Sequence, residues 1–274
     1  MLRKVMKGLI LTGIMATLCV FSLGGATVSA ANSPSQTIKK SADAMSKLNS
    51  LHADLTSSEV VHSGSSSLTY SVNGTADAAR SNETKIDLSS SPNYHATIVS
   101  TGQTVYAQRG TGPWYQTSVS NLPGNTQQYL SQGLPKSMGQ LLSAMQDARL
   151  QDKGLETVNS KKLDHITATL TPQEMSTLSS QLNGMLPSQW QSNQNRITNG
   201  TVDLWIDPAT SYLYRMSVDA STQIDKEALA QGAGLQTSGS SSVPVDVKGQ
   251  LNFSKFDQPV SISVPSSATP YPRS

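Results

Sequence analysis

The chain has 274 residues, with 20 basic and 18 acidic side chains, a formal net charge of +2 and a single cysteine. Its composition is 36% hydrophobic, 5% aromatic and 14% charged, which is lean in apolar residues for a globular protein and implies that they are concentrated on one face of its elements. One cysteine excludes a disulfide framework and a thiolate metal cage.

Arg3, Lys4 and Lys7 precede an apolar run from Gly8 to Gly24 and then the small residues Val28-Ser29-Ala30. This order predicts a secretory signal peptide over residues 1–30, cleaved after Ala30. Cys19 lies inside it, and Leu18 occupies the position where a lipoprotein signal needs a small residue, so lipid anchoring at Cys19 is not expected. Removal of the segment takes away three basic residues and no acid, leaving a net charge of −1. The basic face required for nucleic-acid binding is therefore absent, and no nucleic-acid partner is expected. Residues 31–274 are expected to form a single domain with peripheral or no membrane association, as a monomer.

Ile38, Ala42, Met45 and Leu48 form the stripe of a first amphipathic helix over Ser35 to Leu48, with Ser35 as candidate N-cap. Strand-like segments follow at Ala53 to His62, Leu68 to Ala78, Thr84 to Ser90, Tyr94 to Ser100, Thr104 to Arg109 and Trp114 to Ser118, divided by short polar turns. Such a succession predicts an antiparallel meander with one solvated face. Met138, Leu141, Leu142 and Met145 have helical spacing between Pro135 and Ala148, and two more strands follow at Leu150 to Asn159 and Lys162 to Leu170.

Thr171-Pro172-Gln173-Glu174 opens a further helix with a capping box and proline at the first position, striped by Met175, Leu178, Leu182 and Met185 and stopped by Pro187. The segment from Gly200 to Asp219 reads as a β-hairpin. On its first arm Val202, Leu204 and Ile206 alternate with Asp203, Trp205 and Asp207. On its second, Tyr212, Tyr214, Met216 and Val218 alternate with Leu213, Arg215 and Ser217. That alternation turns Tyr214 and Met216 toward the helices and puts Asp203 and Asp207 on the solvent side. A Gly/Ser-rich flexible loop at about 230–242 separates the hairpin from a last strand, Val243 to Phe253.

His52, His62, His95 and His165 are scattered without metal-ligand spacing. There is no G-x-S-x-G elbow, Ser-x-x-Lys pair or Walker lysine. Asp203 and Asp207 share a strand face, and as paired acids they would suit a glycosidase; their alternation with an apolar face favours solvated residues instead. Neither a cofactor nor a metal is expected.

Methionine is flexible and polarizable, and the methionines of the two later helices and the hairpin suit a surface that fits acyl chains of varied shape. Core filling explains the same residues equally well.

Met45-Ser46-Lys47-Leu48 leading into His52-Ala53-Asp54-Leu55, the section TGQTVYAQRGTGPWY closed by its tryptophan, and the hairpin VDLWIDPATSYLYRMSVD together resemble the LppX/LprG-type envelope lipoproteins (LppX_LprAFG) and, more distantly, the LolA/LolB carriers. The resemblance implies an α+β fold: one curved antiparallel sheet, an incomplete half-open barrel, with helices covering its concave face. It also implies a non-catalytic, extracytoplasmic carrier that holds a lipid or acylated molecule. The expected ligand-binding residues are Met138, Leu141, Leu142, Met145, Met175, Leu178, Leu182, Met185, Leu204, Tyr214 and Met216. A second reading is an envelope sensor or interaction module with a protein partner in place of lipid. A third, an enzyme acting on wall glycans, rests on the unpaired acids alone.

Overall fold

The computed structural model of the chain describes residues 33–63, 65–79, 82–90, 94–122, 127, 130–174, 199–225 and 242–271. The segment expected to be a signal peptide lies outside them, as do the Met175–Met185 stripe and nearly all of the Gly/Ser-rich loop.

Helix α1 (Pro34–Lys47) starts one turn position earlier than the stripe suggests. Ser33, not Ser35, is its N-cap: Ser33 Oγ accepts from the Gln36 backbone and the Gln36 side chain accepts from the Ser33 N–H, with Pro34 at the first helical position. The reciprocal pair satisfies two of the four donors that a helix start leaves without partners, and proline costs nothing there because its missing N–H is one of them.

The strands are β1 (Ser50–Ser63), β2 (Ser66–Ala79), β3 (Glu83–Ser90), β4 (Tyr94–Thr101), β5 (Thr104–Arg109) and β6 (Tyr115–Ser118), then β7 (Arg149–Val158), β8 (Lys161–Leu170), β9 (Asn199–Ile206), β10 (Leu213–Asp225), β11 (Ser242–Ser254) and the two-residue β12 (Thr269–Pro270). They form one 12-stranded open sheet in the order β12-β6-β5-β4-β3-β2-β1-β11-β10-β9-β8-β7. All neighbours are antiparallel except the short β12, which runs parallel to β6. Two meanders, β1 to β6 and β7 to β11, are therefore joined where the first long strand pairs with the last.

That joint is long. The β1 and β11 register extends from His52 opposite Ser254 to Val61 opposite Val245. Because side chains alternate across a strand, this register settles which residues share a face. Leu51, Ala53, Leu55, Ser57, Glu59 and Val61 of β1 lie on the same face as Phe253, Leu251, Gly249, Val247 and Val245 of β11.

Helix α2 (Leu134–Ala144) begins at Gly133, whose φ of 77° is a conformation that favours glycine. It crosses α1 at Gly139. A Cβ there would come within 2.7 Å of Ser46 Cβ and 2.8 Å of the Ala42 carbonyl oxygen, so only glycine permits this approach.

Both helices pack on the same face of the sheet. Ile38, Met45, Leu142, Met145, Leu204 and Ile206 belong to one buried cluster with the sheet residues beneath them, each at most 1% exposed. At about 2 kcal/mol for each fully buried aliphatic side chain, this cluster is the principal source of stability.

Candidate functional site

The helix-side face of the sheet has two regions. Under α1 and α2 it is closed. Met138, Leu141, Leu142 and Met145 of α2 and its C-terminal turn, with Leu204 and Met216 of the hairpin, are all 4% exposed or less and lie in the same cluster. The structure thus brings together every described candidate but Tyr214. Met175, Leu178, Leu182 and Met185 lie outside the described residues.

Tyr214 is on the other face. The β9–β10 register shifts between Leu213 and Arg215, and this irregularity reverses the alternation at the start of β10. Leu213 turns inward and is fully buried beside Ile206, while Tyr214 packs outside against Val158, Leu163 and Trp205. Its ring lies 5.0 Å from that of Phe256 and under the Lys161 ammonium at 4.5 Å. An extra residue in one strand of a pair produces this inversion, and period-two counting across it fails.

Asp203 and Asp207 also differ from expectation. They face away from the helices, yet they are only 5% and 6% exposed. Asp203 accepts from Thr167 and lies 3.0 Å from His165 Nε2, while His165 Nδ1 lies 2.9 Å from Glu156. Trp205 stacks on the His165 ring at 4.5 Å and donates its indole N–H to the same Glu156.

Asp207 caps its own turn by accepting from the Ala209 N–H and pairs with Lys161 at 3.0 Å. Burial acts to raise its carboxyl, but the Ala209 N–H and the Lys161 ammonium more than offset this and hold it below the ordinary carboxylate range. Both acids are committed to structural bonds. Among the described residues, no cluster of three or more His, Cys, Asp or Glu side chains is arranged to hold a metal.

Beside the helices, part of the same inner face is apolar but only half-buried. One row of paired residues runs Met216, Leu251, Leu55, Gly74, Leu88 and Ala96 across β10, β11, β1, β2, β3 and β4. Leu251, Leu55 and Leu88 are partly exposed, as are Ile86 and Ile98 beside them. Gly74 lets Leu88 lie flat on the sheet, since a Cβ there would meet Leu88 Cδ2 at 2.5 Å. The next row has Gly249, Ser57 and Val72 at its centre. All three are buried, Ser57 at 7% and Val72 at 2% exposure.

The row after that holds Glu59, between Tyr70 of β2 and Val247 of β11. Glu59 is 8% exposed, and burial pushes its carboxyl from 4.5 up to about 8. Glu59 is not among the residues expected at the site, although the sequence carries a signal for it. Glu59 falls in phase with Leu51, Ala53, Leu55 and Val61, so the alternation that marks the apolar face of β1 also carries an acid on that face.

A search of curated proteins finds no match. Solved structures resembling the chain include the lipoprotein LppX of Mycobacterium tuberculosis, at 17% identity over 84% of this chain and 97% of that one, with a TM-score of 0.49. LprF of Mycobacterium bovis is 14% identical over 85% and 97% of the two chains, with a TM-score of 0.44. A LolA superfamily protein from Nitrosomonas europaea is 9% identical over 85% and 96%, with a TM-score of 0.25. The model of the LppX_LprAFG lipoprotein family matches residues 33–262, nearly the whole of the sheet and both described helices, and the chain belongs to that family.

Proposed function

We propose that the protein is an exported, non-catalytic carrier that holds a lipid or acyl chain against the helix-side face of its open sheet, for transport in the cell envelope. The observation that carries this reading is the half-buried apolar row Leu251, Leu55 and Leu88, with Ile86 and Ile98 alongside. Apolar residues on the face that forms the core elsewhere are normally sealed, and a contiguous set open to solvent marks a place where something apolar binds. Family membership supports a lipid-binding role and an extracytoplasmic location.

In this reading the closed cluster with Met138, Leu141, Leu142, Met145, Leu204 and Met216 is the rigid floor of the site, and the ligand lies along its open margin. The helix carrying Met175, Leu178, Leu182 and Met185 contributes the other wall. The signal peptide is cleaved after Ala30, and Leu18 leaves the mature chain without a lipid tether.

Native mass spectrometry of gently purified protein, with organic extraction, tests the carrier function. A copurifying lipid and uptake of a fluorescent fatty acid are expected. Absence of both overturns it, and a stoichiometric protein partner without lipid identifies an interaction module instead.

A further inference from the structure

Glu59 has no hydrogen bond to any described residue, although the residue is only 8% exposed. Buried polar groups almost always have partners, and one left without any costs the full desolvation of that group. The described residues around it offer none. Ser57 and Val61 flank it on β1, Tyr70 and Val247 lie opposite on β2 and β11, and Ala220 faces Val247 from β10. Tyr70 is the titratable group facing Glu59 among the described residues, and its hydroxyl is itself pushed up by burial and then by the Glu59 charge. No cation on these strands shares the face: the helix-side positions of β1, β2 and β11 carry no lysine or arginine.

We propose that Glu59 is the polar subsite of the apolar binding face, a neutral carboxylic acid whose O–H is donated to an uncharged acceptor oxygen, an ester or amide carbonyl, within the bound ligand. This rests on the carrier reading above and adds a residue and a chemistry to it. A protonated carboxyl has one donor and retains acceptor capacity. An ester carbonyl accepts a hydrogen bond from that O–H without bringing a charge into a buried site, whereas a ligand carboxylate or ammonium would itself have to be stripped of water. The small residues Ser57 and Gly249 occupy the row between the apolar margin at Leu55 and Leu251 and the carboxyl. Burial keeps the acid protonated through neutral pH, since its pKa is raised to about 8.

Three pyrene-labelled probes of equal chain length test the subsite by fluorescence titration of the full chain: a hydrocarbon, a fatty-acid methyl ester and a primary amine. At pH 7 the ester is expected to bind up to about tenfold more tightly than the hydrocarbon, the value of one good hydrogen bond. That advantage fades as pH rises past about 8 while hydrocarbon binding does not change. Glu59→Gln, which keeps an N–H donor, retains the ester preference and loses its pH dependence. Glu59→Leu binds ester and hydrocarbon alike.

Equal binding of both probes by the wild type overturns the subsite and leaves the carrier reading standing. So does an ester preference that survives Glu59→Leu, or tightest binding of the amine. Failure of the wild type to bind any of the probes overturns the carrier reading and the subsite together.

Discussion

The two regions of the helix-side face use the same sheet and similar residues to opposite ends. Under α1 and α2 the space is filled by Met45, Leu142, Met145, Leu204 and Ile206, all essentially inaccessible. A few strands away, Leu55, Leu88, Ile98 and Leu251 stand half-exposed beside small residues and a buried acid. Helix coverage accounts for the difference. Gly139 lets α2 settle onto α1 at backbone distance, and the pair seals one end of the sheet. The apolar pattern of a strand therefore says which face is inward, while the helices decide how tightly that face is sealed.

The comparison is tested most strongly at Glu59. A carboxyl raised from 4.5 to about 8 in the folded state binds a proton that the unfolded chain has released. Its contribution to stability is fully present below pH 4.5 and is lost as pH rises through about 8. The shift corresponds to about 5 kcal/mol over that window. Urea unfolding of the wild type at a series of pH values should show this decline, and Glu59→Gln should remove it. A wild-type profile that matches the variant would show that the acid is solvated and the region open.

In the closed region Leu142→Ala should cost about 3 kcal/mol, because a cavity there has nothing to collapse into it. Chemical denaturation measures this, and a cost under about 1 kcal/mol would mean that the region is not packed as core. Gly139→Ala comes next. The added methyl forces α1 and α2 apart by several tenths of an ångström, and overpacking of about 2 kcal/mol outweighs the better helix propensity of alanine, about 1 kcal/mol. A net loss of thermal stability is expected.

The smallest stability effect is predicted on the open margin. Leu88→Ala should cost about 1 kcal/mol or less, because the side chain is half-solvated already, yet it should weaken binding of the hydrocarbon probe several-fold. Equal stability losses at Leu88 and Leu142 would erase the distinction between the two regions.

Much of this fold was legible in the residues. Period-two alternation located every strand of the first meander to within a few positions, and the Leu/Met spacing located α1 and α2. The first arm of the hairpin behaves as counted, with Val202, Leu204 and Ile206 all fully buried on the helix side. Counting failed at Tyr214, where the irregular pairing between Leu213 and Arg215 moves the tyrosine to the outer face. It also misjudged Asp203 and Asp207, since alternation tells which way a residue points but not what covers it. His165, Thr167 and Lys161 cover them, from a strand 36 to 46 residues away.

The amino-acid sequence by itself determined the local periods, the capping box of the helix that opens at Thr171, the hairpin and the exclusion of thiol chemistry, because each depends on residues close together in the chain. Only the tertiary structure decided that β1 pairs with β11. That single long-range register sets Glu59 between Tyr70 and Val247, where it is only 8% exposed. Desolvation is a property of the whole surroundings rather than of neighbours in sequence. An acid that reads in the chain as an ordinary strand residue therefore becomes, in the folded sheet, a buried carboxyl on a largely apolar stretch of the helix-side face.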